Sequence, residues 1–336
     1  MPLRIPAPVK PGGHLRILSP GMPTMAYIPD RVRRGVRVLA DAGWTVSLGA
    51  NALLVAEDGL TAGTAADRAR DLMDAFLDPS VDAILAADAG LGSRDLLEAL
   101  DPEVIAAHPK PFIGYCDNVF LNYFLATRAG IGSLYGATFM VHIGEAGGAY
   151  PETLDFLARA LDSSAPLVYE PVPTRTGDLI DWYVPELERV PRERDIPGGW
   201  TWLRTGKCSG PLLGGEITLL PELAEYFGLD LTGAVLFWDI SYHGLEVGPL
   251  FEQLCARVDL TGLAGMIIGG HPLRAPDEWA KTIAELVDEH LAGLDCPIVV
   301  NADLSHTCPS WIVPFGERVE LDSAGPVVFR RGAQRW

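Results

Sequence analysis

Apolar positions along the first 160 or so residues alternate between two kinds of run. "LRILSP", "TVSLGA", "VDAILAADAG" and "PFIGY" are short and continuously apolar, as buried strands are. Between them lie helical patterns. In "PDRVRRGVRVLADAGW" the spacing is carried by Val32, Val36, Val38 and Leu39, with Gly43 as the stop. In "TAGTAADRARDLMDAFLDP" Thr64 is a candidate cap and Pro79 ends the helix. "SRDLLEALD" and "NVFLNYFLATRAG" read as two more helices, and "GSLYGATF" as a further strand. Strands alternating with helices predict an α/β domain with a parallel sheet wound on both faces. In such sheets ligands sit beyond the carboxyl ends of strands. Two loops fall there, "DAGLGS" (88–93) and "GYCDN" (114–118).

The pattern changes after residue 165. Residues 166–205 are rich in Pro, Trp and charge and poor in periodicity, which predicts a linker or a loop that folds over something. From 206 to 336 the apolar runs return as "SGPLLGG", "GAVLFWDIS", "GMIIGG", "PIVVNAD", "SWIVPFG", "RVELDS" and "GPVVFRR". Helical patterns intervene at "TLLPELAEYF", "VGPLFEQLCARVDL" and "PDEWAKTIAELVDEHLAG". The expected organisation is therefore an N-terminal α/β domain (1–165), a connecting segment (166–205) and a smaller, β-rich C-terminal domain (206–336).

Bulk properties narrow the function. The chain has 336 residues, 48% of them apolar, enough for two cores at roughly 150 residues per domain. Acidic residues number 44 against 26 basic, a formal net charge of -18. That disfavours nucleic acid and anionic membrane surfaces as partners, since both need a basic face. The N-terminal stretch has no signal-peptide pattern, and no run approaches the roughly 20 apolar residues of a membrane span. The five cysteines (Cys116, Cys208, Cys255, Cys296, Cys308) form no C-x-x-C pair, as expected of free thiols in a reducing cytoplasm. Cys296, His306 and Cys308 have no standard zinc-ligand spacing, so neither metal nor cofactor is expected.

Cys116, in "PKPFIGYCDNVF", lies where a strand gives way to a helix. Such a turn exposes a nucleophile, as in the G-x-S-x-G elbow of other hydrolases. A helix N-terminus lowers a thiol pKa and favours thiolate, and its free N–H groups can hold an oxyanion. A small cysteine at a strand end is also ordinary packing. A base is needed, and His142, His243, His271 and His306 are candidates. His271, in "MIIGGHP", emerges from an apolar strand on two glycines, a good placement for a catalytic imidazole. His306, in "LSHTCP", reads as a hydrogen-bonded structural group.

"LTAGTAADRARDLMDAFLDPSVDAILAADAGLGS", "PKPFIGYCD", "YGATF", "GPLLGGEITLL", "VLFWDIS", "GMIIGGH" and "SHTCPSWIVPFG" follow in one order across nearly the whole chain. In this the sequence resembles the LD-carboxypeptidase family of serine peptidases, near its microcin-immunity branch. The resemblance implies a flavodoxin-like N-terminal domain, a β-rich C-terminal domain, a site between them, a homodimer, and a Ser-Glu-His triad without metal. It implies cleavage of an amide next to a free carboxylate, or removal of aminoacyl groups from nucleotide-like toxins. Carried over, the family's serine falls on Cys116 and its histidine on His271. Its glutamate falls on Trp238, with Asp239 beside it. Its oxyanion loop falls on residues 89–93, giving the amide of Gly90 joined by that of Asp117. Its Gly-Gly-Asn-Leu turn reads Gly214, Gly215, Glu216, Ile217.

The expectation is a Cys116–His271 dyad that tolerates loss of the triad acid, because a thiol is far more acidic than a serine hydroxyl. Trp238, Asp239, Glu216, Tyr115, Ser93 and Trp202 are the candidate substrate contacts. By strand alternation Asp239 faces away from Trp238. The expected chemistry is acyl transfer to water or to an amine on a small acyl, peptide or aminoacyl substrate. A non-catalytic ligand-binding protein and a conventional cytoplasmic LD-carboxypeptidase are the alternatives.

Overall fold

In the computed structural model, residues 3–177, 181–241 and 246–330 are described. The first four apolar runs lie side by side in parallel, joined by Ser133–Tyr135. Across this sheet the order is Thr45–Leu48, His14–Leu18, Ala83–Ala86, Phe112–Gly114, Ser133–Tyr135. In chain order that is 2-1-3-4-5, the flavodoxin order, as expected. The helices between strands follow their sequence signals. Pro29–Asp41 buries Val32 and Leu39. Thr64 caps Ala65–Leu77 through a reciprocal pair: its hydroxyl accepts from the Asp67 amide (3.2 Å), and the Asp67 carboxylate accepts from the Thr64 amide (3.1 Å). "SRDLLEALD" departs from expectation. It forms a 3₁₀ segment, Ser93–Ala99, entered from Gly92 in the left-handed region (φ 101°).

The second sheet has eight strands. Lys207–Glu216, Val235–Asp239, Gly265–Gly269 and Ile298–Ala302 run parallel at its centre. Antiparallel strands flank them: Arg318–Asp322, Val327–Arg330 and Leu167–Tyr169 on one side, Thr201–Arg204 on the other. The segment 166–205 thus supplies a strand to each edge of this sheet. Its polarity suits edge strands, which bury less of their surface than central ones.

The two sheets also trade a strand. Val313–Phe315, from the C-terminal half, pairs antiparallel with Ser133–Tyr135 and closes the edge of the first sheet. Phe315, fully buried, meets the ring of Tyr123 at 4.8 Å and that of Phe237 at 6.4 Å. The Gly214 amide donates to the Tyr123 hydroxyl at 3.1 Å. One apolar core therefore runs between the halves. Phe315→Ala is expected to cost about 3–5 kcal/mol by leaving a cavity at this junction. In urea, near- and far-UV circular dichroism should still report one shared transition. Two separated transitions would show that the junction does not couple the halves.

Candidate active site

The strand Phe112–Gly114 ends in Tyr115 and turns at Cys116, whose φ is +51°. A non-glycine residue in the left-handed region is strained, and such strain concentrates at functional turns. Cys116 opens a single 3₁₀ turn, Cys116–Asn118, which runs into the helix Val119–Phe124. The Cys116 amide donates to the Tyr135 hydroxyl at 3.2 Å. The residue is half-buried.

The imidazole hydrogen-bonded to the Cys116 thiol belongs to His306, not His271. His306 lies in the loop after Ile298–Ala302, with its ring 4.7 Å from that of Tyr115. That loop is pinned. The Trp311 amide donates to the Asp303 carbonyl at 2.6 Å, and Thr176 and Cys308 exchange amide–carbonyl bonds of 2.8 and 2.9 Å. Nδ1 of His306 is hydrogen-bonded to Oδ2 of Asp239, leaving Nε2 for the thiol. Asp239 is the last residue of Val235–Asp239. Cys116, His306 and Asp239 thus form a chain of three groups across the two sheets.

A carboxylate does stand in hydrogen-bonded series with an imidazole, one position beyond Trp238. Alternation does set the two side chains on opposite faces, but Trp238 is the one turned away from the site. It is fully buried, with its indole N–H 3.3 Å from the Met266 sulfur and its ring against Phe251 and Trp279. It is a core residue and no pocket wall. His271 is occupied elsewhere: its Nδ1 accepts from the Leu273 amide at 2.9 Å and its ring packs 4.7 Å from Trp279. Burial, helped by Arg274, pushes His271 down to about 4. His142 is buried, and its Nδ1 accepts from the Thr138 amide. His243 lies outside the described residues.

The loop 88–93 is tied to the elbow. The Ser93 backbone amide donates to the Asp117 carboxylate and the Asn118 side-chain Nδ2 to the Ser93 hydroxyl, both at 2.8 Å. Ser93 is fully buried in these bonds, which removes it from substrate contact. Arg68 holds the same loop through the Gly92 and Pro20 carbonyls. Gly90 sits at φ +98°, where an added Cβ would lie 2.0 Å from the Met22 sulfur. Tyr115 is buried and donates to the Ser305 carbonyl at 2.9 Å, so it props the histidine loop. Trp202 lies on the edge strand Thr201–Arg204, opposite Val299 and three strands beyond Asp239. Glu216 ends Lys207–Glu216 and is the register partner of Asp239. Among the described residues no three His, Cys, Asp or Glu side chains gather as a metal cage, and no helix is long and apolar enough to cross a membrane.

Electrostatics reverse one expectation. Burial raises the Cys116 thiol pKa; His306 opposes this, while Glu216 and Asp239 add to it. The helix start here is one 3₁₀ turn, too short to offset them. Burial alone would pull His306 down, but Asp239 and Cys116 outweigh it and hold it well above its ordinary value.

Family models for the LD-carboxypeptidase N-terminal and C-terminal domains match residues 15–136 and 209–321. The chain belongs to the LD-carboxypeptidase family. A protein of Streptomyces coelicolor is 30% identical over 331 residues, covering 95% of this chain and 93% of its own. The microcin C7 self-immunity protein MccF of Escherichia coli is 25% identical, covering 94% and 92%. Among solved structures, an MccF-like protein from Bacillus anthracis superposes with a TM-score of 0.83 at 23% identity, covering 97% and 98%. MccF bound to glutamyl sulfamoyl guanosine gives 0.85 at 23%, covering 98% of both chains. These likenesses support the LD-carboxypeptidase-like fold of both halves.

Two pH effects follow. A histidine whose folded pKa is raised adds stability that is complete below its unfolded value, about 6.5, and is lost as pH rises through the folded value. Thermal melts should show stability falling above about pH 6.5, with Asp239→Asn flattening that fall. Alkylation of Cys116 by iodoacetamide should show an apparent pKa above the free-thiol value of about 8.5. His306→Ala should move it higher, because the site loses the one cation that favours thiolate. An unchanged profile in His306→Ala would refute the pairing.

Proposed function

We propose that the chain is an acyl-transfer enzyme of the LD-carboxypeptidase family in which Cys116 is the nucleophile, His306 the base and Asp239 the group that orients it. The supporting observation is the position of His306, bonded to Asp239 through one ring nitrogen and to the Cys116 thiol through the other. That is the arrangement nucleophilic catalysis requires: nucleophile, base and orienter in hydrogen-bonded series.

The steps balance as follows. Neutral His306 takes the thiol proton as Cys116 Sγ bonds to the substrate carbonyl carbon. The oxyanion lies against the amides of Gly90 and Asp117, on two loops held together through Ser93. Collapse breaks the bond to the leaving amine, which receives the proton from His306, and leaves a thioester on Cys116. Water then attacks that carbonyl, giving its proton to His306; the thioester C–S bond breaks, the acid departs and the thiol is restored. An amine in place of water would form an amide instead. The raised pKa of His306 places the active, neutral form on the alkaline limb of the rate profile.

A panel of peptide, thioester and aminoacyl sulfamoyl nucleoside substrates tests this, read by turnover and by trapped acyl-enzyme mass. Cys116→Ala should abolish turnover. Asp239→Asn should cost on the order of 10²–10⁴ in kcat, and His306→Ala at least as much. His271→Ala should change kcat/KM by less than about threefold. Cys116→Ser should retain turnover at least about tenfold above Cys116→Ala, since base and acid remain in place for a hydroxyl. If no substrate acylates Cys116, and its alkylation is indifferent to His306, the binding-protein alternative replaces this reading.

A further inference from the structure

Residues 303–312, which carry His306, form no helix or strand between Ile298–Ala302 and Val313–Phe315. The shape of such a loop depends on what its residues are bonded to. Its start is held from the segment 166–205. Thr174–Arg175 pairs antiparallel with Ile196–Pro197 in a two-stranded ribbon, and the Arg175 side chain reaches from that ribbon to the root of the loop. Its Nη1 donates to the Asn301 carbonyl at 2.9 Å and lies 3.7 Å from Oδ1 of Asp303. Oδ2 of Asp303 accepts from the Val172 amide at 3.0 Å. The Asp303 carbonyl accepts from the Trp311 amide at 2.6 Å and from the Ser310 hydroxyl at 3.3 Å, so this one residue gathers both ends of the loop.

Arg175 and Asp303 are both fully buried, at 1% and 0% exposure. A buried ion pair adds little net stability, since desolvation of both charges cancels much of their attraction; fixing register is its better-attested use. Arg194, the other cation acting on Asp303, is bonded to Glu152 at 2.9 and 3.1 Å. The chain also enters the loop under strain, because Asn301 sits in the left-handed region at φ +64°. Two bonds bracket that point: Arg175 to the Asn301 carbonyl, and the Gly270 amide to the Ala302 carbonyl at 3.0 Å. Gly270 leaves room for the guanidinium, since an added Cβ there would lie 2.3 Å from Nη1 of Arg175. Asp303 is only three positions before His306 in the chain.

We infer that Arg175 and Asp303 are a positioning pair: together they set the loop so that His306 stands at the Cys116 thiol, and without them the fold survives while that contact is lost. This rests on reading His306 as the base of Cys116 and adds what places the base. It also gives the segment 166–205 a task beyond its edge strands, since Val172 and Arg175 both come from it. A guanidinium suits that task. It is planar and rigid, so one nitrogen is held against the Asn301 carbonyl and the Asp303 carboxylate together, where a lysine ammonium would swivel on its stem. Misplacing a base by about 1 Å can cost on the order of 10²-fold in rate, so a pair that touches no substrate can still govern turnover.

The test needs no substrate. The full chain is alkylated at Cys116 by iodoacetamide at pH 7, read by peptide mass spectrometry, with and without His306→Ala in each background. In the wild type His306→Ala should slow the reaction by about tenfold or more, since rate follows the thiolate fraction. In Arg175→Met that ratio should fall to about threefold or less, because the two positions are no longer coupled. Burial already raises Asp303 to about 6 against the pull of Arg175, so removing Arg175 moves it further toward the neutral acid and leaves no bare buried charge. Gly270→Ala alters no charge and displaces the guanidinium from another strand; it should lower the ratio in the same way, and it decides the matter if Arg175→Met does not fold. A wild-type ratio in either folded variant would overturn the inference. A wild type indifferent to His306→Ala would overturn it together with the His306–Cys116 pairing. Acylation is not read here, so failure of the acyl-transfer reading would appear separately, as a missing acyl-enzyme.

Discussion

The hydrogen bond between Asp239 and His306 is the constraint around which the site is arranged. It fixes which imidazole nitrogen faces the thiol, and so whether a proton can move along the chain of three groups. Its two partners come from the ends of two strands of one sheet, with Gly265–Gly269 between them, and the thiol comes from the other sheet. The bond therefore has meaning only if the sheets hold a fixed relation. The traded strand Val313–Phe315 and the ring contacts of Tyr123, Phe237 and Phe315 supply that relation.

The same bond sets the balance of charge at the cysteine. Two carboxylates and burial oppose ionisation, and one imidazolium favours it. Under the proposed mechanism a thiol in such surroundings gives up its proton as it attacks, much as a hydroxyl does.

The first sheet was legible in the sequence because its inner strands Ala83–Ala86 and Phe112–Gly114 are buried on both faces and read as short unbroken apolar runs. Cys116 was legible for a related reason: a strand that stops at Gly-Tyr-Cys must turn there. The histidine was not. His271 and His306 both follow apolar strands, and local pattern cannot say which loop folds back toward a residue some 150 to 190 positions earlier. A usable signal existed in "NADLSHTCP": three polar side chains, Asp303, Ser305 and Thr307, flank His306 and hold its loop through buried hydrogen bonds. Asp239 was legible only as a substrate contact, for want of knowing which face of Val235–Asp239 meets the other domain. The segment 166–205 hid its two strands because edge strands carry polar sequence and give little periodic signal.

Chain order gives the traded strand one more meaning. Cys116 is synthesised about a third of the way along the chain, but the strand that closes its sheet and the histidine bonded to it both arrive within the last 35 or so residues. A growing or truncated chain holds a complete nucleophile turn with nothing to take its proton. The first sheet is therefore closed only when the end of the chain is made, whereas all eight strands of the second come from residues 167–330 and need nothing from the N-terminal half.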